Sequence, residues 1–151
     1  MPKIVHKQII NAPKEICFDL ARNVEVHTKT TSHTNEKAVG GVTGGLLEEG
    51  DIVTWEATHF CIRQRLTAKI VWMDRPNQFK DSMIKGAFHS FIHTHDFLEV
   101  SEGTLMIDTF LYKSPFGILG ILADKLFLER YMKNFIISRS MELKKIAEKD
   151  R

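Results

Sequence analysis

The chain has 151 residues, a formal net charge of +2, and 43% hydrophobic against 26% charged residues. That length suits one domain, 1–151, and the apolar content is enough for a real core and too high for a disordered chain. The weak, dispersed positive charge, with no basic stripe interleaved with aromatics, excludes a nucleic-acid partner.

The opening Met1-Pro2-Lys3-Ile4 lacks a signal-peptide core. With Cys17 and Cys61 far apart and no CxxC, both thiols are expected to be reduced in a cytoplasmic protein. Lys3 to Ile10 reads as a short strand. Asn11 to Glu15 reads as a helix start, with Asn11 or Ala12 at the cap and Pro13 in the first turn, and the helix runs to about Arg22. A second short helix is expected around Val24 to His27, and a strand over Glu36 to Val39. Gly40 to Gly45 has the look of a phosphate-cradling loop, yet it has no P-loop lysine and no following helix, so it reads as a flexible connection.

Asp51–His59, Arg63–Met73 and Gln78–Ile84 are strand-like runs separated by tight turns at Phe60-Cys61-Ile62 and Arg75-Pro76-Asn77. Lys85-Gly86 turns into Ala87–Val100, and Thr104–Tyr112 follows. From Ser114 onward the pattern turns helical: Leu128, Met132, Phe135, Ile136, Leu143, Ile146 and Ala147 recur at three- and four-residue spacing. The longest nearly apolar stretch, Pro115 to Ala123, is too short to span a bilayer, so no stable membrane insertion is expected. The apolar segment Phe116–Leu122 reads as a cavity lid with glycine hinges.

The last two strand runs carry the most chemistry. At a period of two, Phe91, His93, His95 and Phe97 share one face, and so do Met106, Asp108, Phe110 and Tyr112. Keeping both sets on the same side of the sheet leaves few registers. One sets His95 opposite Asp108 and His93 opposite Phe110; the registers two residues to either side set His93 or Phe97 opposite Asp108, and the last would pair no histidine with it. The same parity puts Asp81 across from Phe91 or His93, and turns His59 inward near a strand end. His89 lies beside Gly86, where a bulge would turn it out. Trp55 shares parity with His59 and is assigned to the cavity wall. Arg139 lies near the helix stripe, either reaching an inward carboxylate or extending to solvent. Leu111, Ile107 and Phe88 have outward parity, an apolar patch that points to a homodimer.

One strand, two short helices, six antiparallel strands and a long C-terminal helix make an α+β helix-grip layout. A curved seven-stranded sheet around one helix leaves a cavity between them. The chain resembles the SRPBCC superfamily of START domains, birch-pollen allergen-type proteins and polyketide cyclases, and within it an uncharacterised bacterial subgroup. The residues that carry the resemblance are Ile10-Asn11-Ala12-Pro13, Gly50 to Trp55, His93-Thr94-His95-Asp96-Phe97, Gly103 to Asp108 and Tyr112 to Gly117. The resemblance implies a hydrophobic ligand cavity and no shared catalytic residue.

The expected function is therefore binding of a small hydrophobic, lipid-like or polyketide-like ligand. Trp55, Phe91, Phe97, Phe110, Tyr112, Met132 and Phe135 would hold the apolar body, and His59, Asp81, His93, His95 and Asp108 the polar end. Two other readings stay open: a cyclase or hydratase with His93, His95 and Asp108 as acid-base candidates, and a regulatory interaction module. No cofactor is expected. His-x-His spacing alone is too common to define a metal site, and none is assigned.

Overall fold

A computed structural model of the chain describes residues 1–149. Strand β1 (Lys3–Ile10) alternates exposed and covered positions and buries Ile4 and Ile10. Helix α1 (Lys14–Ala21) begins one residue later than expected, with Pro13 rather than Asn11 or Ala12 at its N-cap. A proline there loses nothing, because the first N–H groups of a helix have no intrahelical partner. Helix α2 (Val24–Thr30) runs three residues past the expected end, and the Asn23 side chain caps it by accepting from Val26 N at 3.0 Å.

Six strands follow: β2 (Lys37–Gly41), β3 (Ile52–His59), β4 (Ile62–Asp74), β5 (Gln78–Lys85), β6 (Ser90–Val100) and β7 (Gly103–Lys113). They form one antiparallel seven-stranded sheet in the order β1-β7-β6-β5-β4-β3-β2. Among the described residues the glycine-rich stretch after Ala38 leads into a bulged edge and no phosphate-type helix start. Past the bulge, at the end of β2, Gly41 has φ +68°, and a Cβ there would meet Ile52 O at 2.0 Å, so that position demands glycine.

The β6–β7 hairpin closes through Ser101-Glu102 with Val100 paired to Gly103. That pairing selects the first of the three expected registers: His95 faces Asp108, Phe97 faces Met106 and His93 faces Phe110. Asp81 pairs with His93 on the other side. Gly103 is required at the turn, since a Cβ would lie 2.3 Å from Ile10 O.

The concave face of the sheet holds the long C-terminal helix. It has two straight parts, α3 (Gly117–Ala123) and α4 (Glu129–Lys149), joined by a π-helical turn over Asp124–Leu128. Helix α4 buries Met132, Ile136, Ser140, Leu143 and Ala147, the expected stripe with one hydroxyl in it. Asp124 in the turn is held from the sheet by Tyr112 Oη at 2.9 Å and by Ser114 Oγ. No helix among the described residues is long and apolar enough to cross a membrane.

Two apolar clusters flank the interior. One gathers Phe18, Phe79, Phe97 and Leu143 under α1; the other gathers Phe91, Phe110, Tyr112, Met132 and Ile136. Phe88 departs from its expected outward parity. Ala87–His89 is irregular rather than strand, so alternation does not carry through it, and Phe88 turns inward against Phe91, Phe110 and Tyr112. His89 is exposed.

Candidate functional site

Between the sheet and α4 lies a cavity of about 260 Å³. Its walls come from β3 and β4 (Trp55, His59, Leu66, Ala68), from β6 and β7 (His93, Phe110) and from α4 (Met132, Phe135, Arg139). Phe60 and Phe88 stand at its mouth with Tyr131; the rings of Phe60 and Tyr131 are 4.4 Å apart. Two smaller voids, of about 20 and 50 Å³, adjoin it, and His27 and Arg139 line all three.

The floor is a buried chain of ionisable groups that the β5-β6-β7 register brings together. Asp108 accepts from His93 Nε2 at 2.9 Å and from Ser140 Oγ at 2.7 Å. His95 lies between two carboxylates, with Nε2 2.9 Å from Asp81 Oδ1 and Nδ1 3.2 Å from Asp108 Oδ1, the second at an angle too poor for a hydrogen bond. The two imidazoles stack at 3.9 Å, and Phe79 covers the far face of His95 at 4.2 Å.

Burial opposes charge on every member, yet the outcomes differ. For His95 the Asp108 and Asp81 carboxylates outweigh burial and raise its pKa, which favours the imidazolium. His93 is pushed down, first by burial and then by the neighbouring His95 charge, and is neutral near pH 7. Burial raises Asp81 and Asp108 less than the imidazoles lower them, Asp108 well below the usual carboxylate range. The network thus favours the charged form of His95 between its two carboxylates and the neutral form of His93, which faces the cavity.

A second polar pair stands on the opposite wall. His27 Nε2 is 2.5 Å from Glu36 Oε1, and the His27 ring stacks on Trp55 at 4.0 Å. Burial, then the Arg139 charge, lowers His27, so a neutral ring donates to an ionised Glu36. At the mouth His59 Nδ1 is 2.5 Å from Tyr131 Oη, and burial lowers the His59 pKa.

Of the residues assigned to a cavity from the sequence, Trp55, His59, Asp81, His93, Phe110, Met132 and Phe135 line the large one. His95 and Asp108 border the smaller voids. Phe91, Phe97 and Tyr112 face inward without reaching it. Phe97 is covered by α1, with its ring 5.3 Å from that of Phe18. Phe91 is screened by Phe88, and Tyr112 is fully buried with its hydroxyl bonded to Asp124. Sequence reasoning missed His27, Glu36, Tyr131 and Ser140. Ser140 left a signal, a polar residue within the apolar stripe; the others left none, since their positions depend on how α2 and α4 cross the sheet.

Asp81, His93 and His95 also offer ligand atoms all within 4.8 Å of one another, the spacing a metal ion needs. A metal there would compete with Asp108 and Asp81 for the imidazole Nε2 atoms.

The architecture is the helix-grip fold. TTHA0849 from Thermus thermophilus superposes with a TM-score of 0.77 at 23% identity, covering 95% of each chain. Major latex-like protein 151 from Panax ginseng gives 0.72 at 13% identity over 97% of each chain. Ara h 8.0201 gives 0.61 at 12% identity over 94% of this chain and 97% of its own. No family model matches the chain, and no curated protein does.

Proposed function

We propose that this protein binds a small, mostly apolar molecule in the cavity between sheet and α4. One observation carries the reading. An interior space of about 260 Å³ has aromatic and aliphatic walls and a floor of fixed, mutually paired His and Asp groups. Empty apolar volume costs stability, and an apolar molecule held in that space would offset the cost. Its size approaches that of ordinary small-molecule sites, which join apolar walls to a few convergent polar groups. The family resemblance implies the same use.

Native mass spectrometry of freshly purified protein, compared with its denatured mass, tests this. A reproducible organic adduct supports the reading. Failure of any apolar probe to bind overturns it.

A second reading has a specific observation behind it. His93 is neutral, faces the cavity and donates to Asp108, the arrangement of a general base with its orienting carboxylate. Under a cyclase or hydratase, His93→Gln loses turnover and keeps affinity; under a carrier it changes affinity alone. The proposal extends to a cytoplasmic protein that self-associates through its outer sheet face, where Val5, Ile92 and Leu98 are exposed. Sedimentation equilibrium decides the association.

A further inference from the structure

We infer that the molecule held in the large cavity carries a carboxylate, and that the Arg139 guanidinium is its partner. The inference rests on the ligand-binding reading and names the class of ligand.

Arg139 follows Ile136 by three residues and precedes Ser140, and both of those are buried against the sheet. Its side chain therefore turns inward and lines the large cavity and both smaller voids. Among the described residues it makes no hydrogen bond, and no carboxylate oxygen lies within the 4.0 Å of an ion pair. The acidic groups around it are engaged elsewhere: Glu36 with His27, Asp81 with His95, and Asp108 with His93 and Ser140. Arg139 is half-buried, and a guanidinium that lines an apolar cavity with five donors and no protein acceptor is open to an acceptor placed in that space. The missing acceptor is what a ligand supplies.

The geometry selects the class. A planar guanidinium fork matches a carboxylate in two parallel hydrogen bonds. The apolar walls, from Leu66 and Ala68 to Phe110 and Met132, admit a ring or short chain behind it. Glu36 and Asp81 share the wall and repel an incoming anion. Each is hydrogen-bonded to an imidazole, so the direct charge-assisted contact outweighs the longer-range repulsion.

The test compares each acid with a neutral isostere: 2-naphthoic acid against 2-naphthamide, and decanoic acid against decanamide, by calorimetric titration of the full chain near neutral pH. The expected result is about tenfold tighter binding of the acid in at least one pair. In Arg139→Gln the acid-to-amide ratio falls to near one, while Arg139→Lys keeps part of it. A ratio taken within one variant does not depend on that variant's folded fraction. Equal binding of acid and amide to the native chain overturns the carboxylate inference and leaves the cavity standing. An unchanged ratio in Arg139→Gln removes Arg139 as the partner. Binding of none of the four probes overturns the cavity reading and this inference together.

Discussion

His95 sits directly across the sheet from Asp108 and is clamped on its other ring nitrogen by Asp81, at 3.2 and 2.9 Å. Removing one partner from a buried charged set strands the rest. Asp108→Ala is therefore expected to lower unfolding free energy by roughly 3–5 kcal/mol, read by urea denaturation. A loss below about 1 kcal/mol would mean that the network contributes little to the fold.

Ser140 reaches Asp108 from the helix side and ties α4 to β7, while Gln8 Nε2 donates to the Ser140 carbonyl from β1 at 2.7 Å. Ser140→Ala removes a hydrogen bond to a charged group and should cost about 1.5–3 kcal/mol. In an Asp108→Asn background the same change should cost clearly less, and a double-mutant cycle measures the difference. Full additivity would show that the two side chains are not coupled.

The pH dependence has a definite sign. His27, His59 and His93 have lowered folded pKa values, so near pH 6 the unfolded chain binds more protons at these sites than the folded one. Their contribution is present above the ordinary histidine pKa and is lost as pH falls through it. His95 has a raised value and acts oppositely, stabilising at low pH and losing that contribution as pH rises through its folded pKa. Three sites oppose one, so the melting temperature should rise from pH 5 to pH 7. His95→Gln should steepen that rise. A flat or falling profile would contradict these protonation states.

Ala68 is a small residue on the cavity wall, buried and facing α4. Ala68→Phe places a ring in the space the ligand is proposed to use. It should weaken binding of 2-naphthamide more than about tenfold, at a stability cost of roughly 1–3 kcal/mol for overpacking. Undiminished binding would place the molecule elsewhere.

The strand alternation made much of this fold legible before any coordinates. His93, His95, Phe97 and Asp108 could share a face only in a few registers, and the two-residue turn at Ser101-Glu102 picked one. Parity gives a direction, not a depth. Phe91, Phe97 and Tyr112 point inward as expected, but α1 and the Phe88 ring stand between them and the cavity. Phe88 itself escaped because alternation fails where the chain leaves the strand. The helix stripe already brought Arg139 near the interior, whereas His27, Glu36 and Tyr131 depend on how the helices and the chain before β2 cross the sheet, which no local period encodes.

The cavity reading is tested most directly by a fluorescence titration. Trp55 lines the cavity, whereas Trp72, the other tryptophan, is on the outer surface. In Trp72→Phe the emission reports Trp55 alone. Titration with decanoic acid should give a saturable change in that emission, abolished by Ala68→Phe in the same background. A Trp55 signal that never responds to decanoic acid, or responds equally with Ala68→Phe present, would contradict a ligand-binding cavity between sheet and helix.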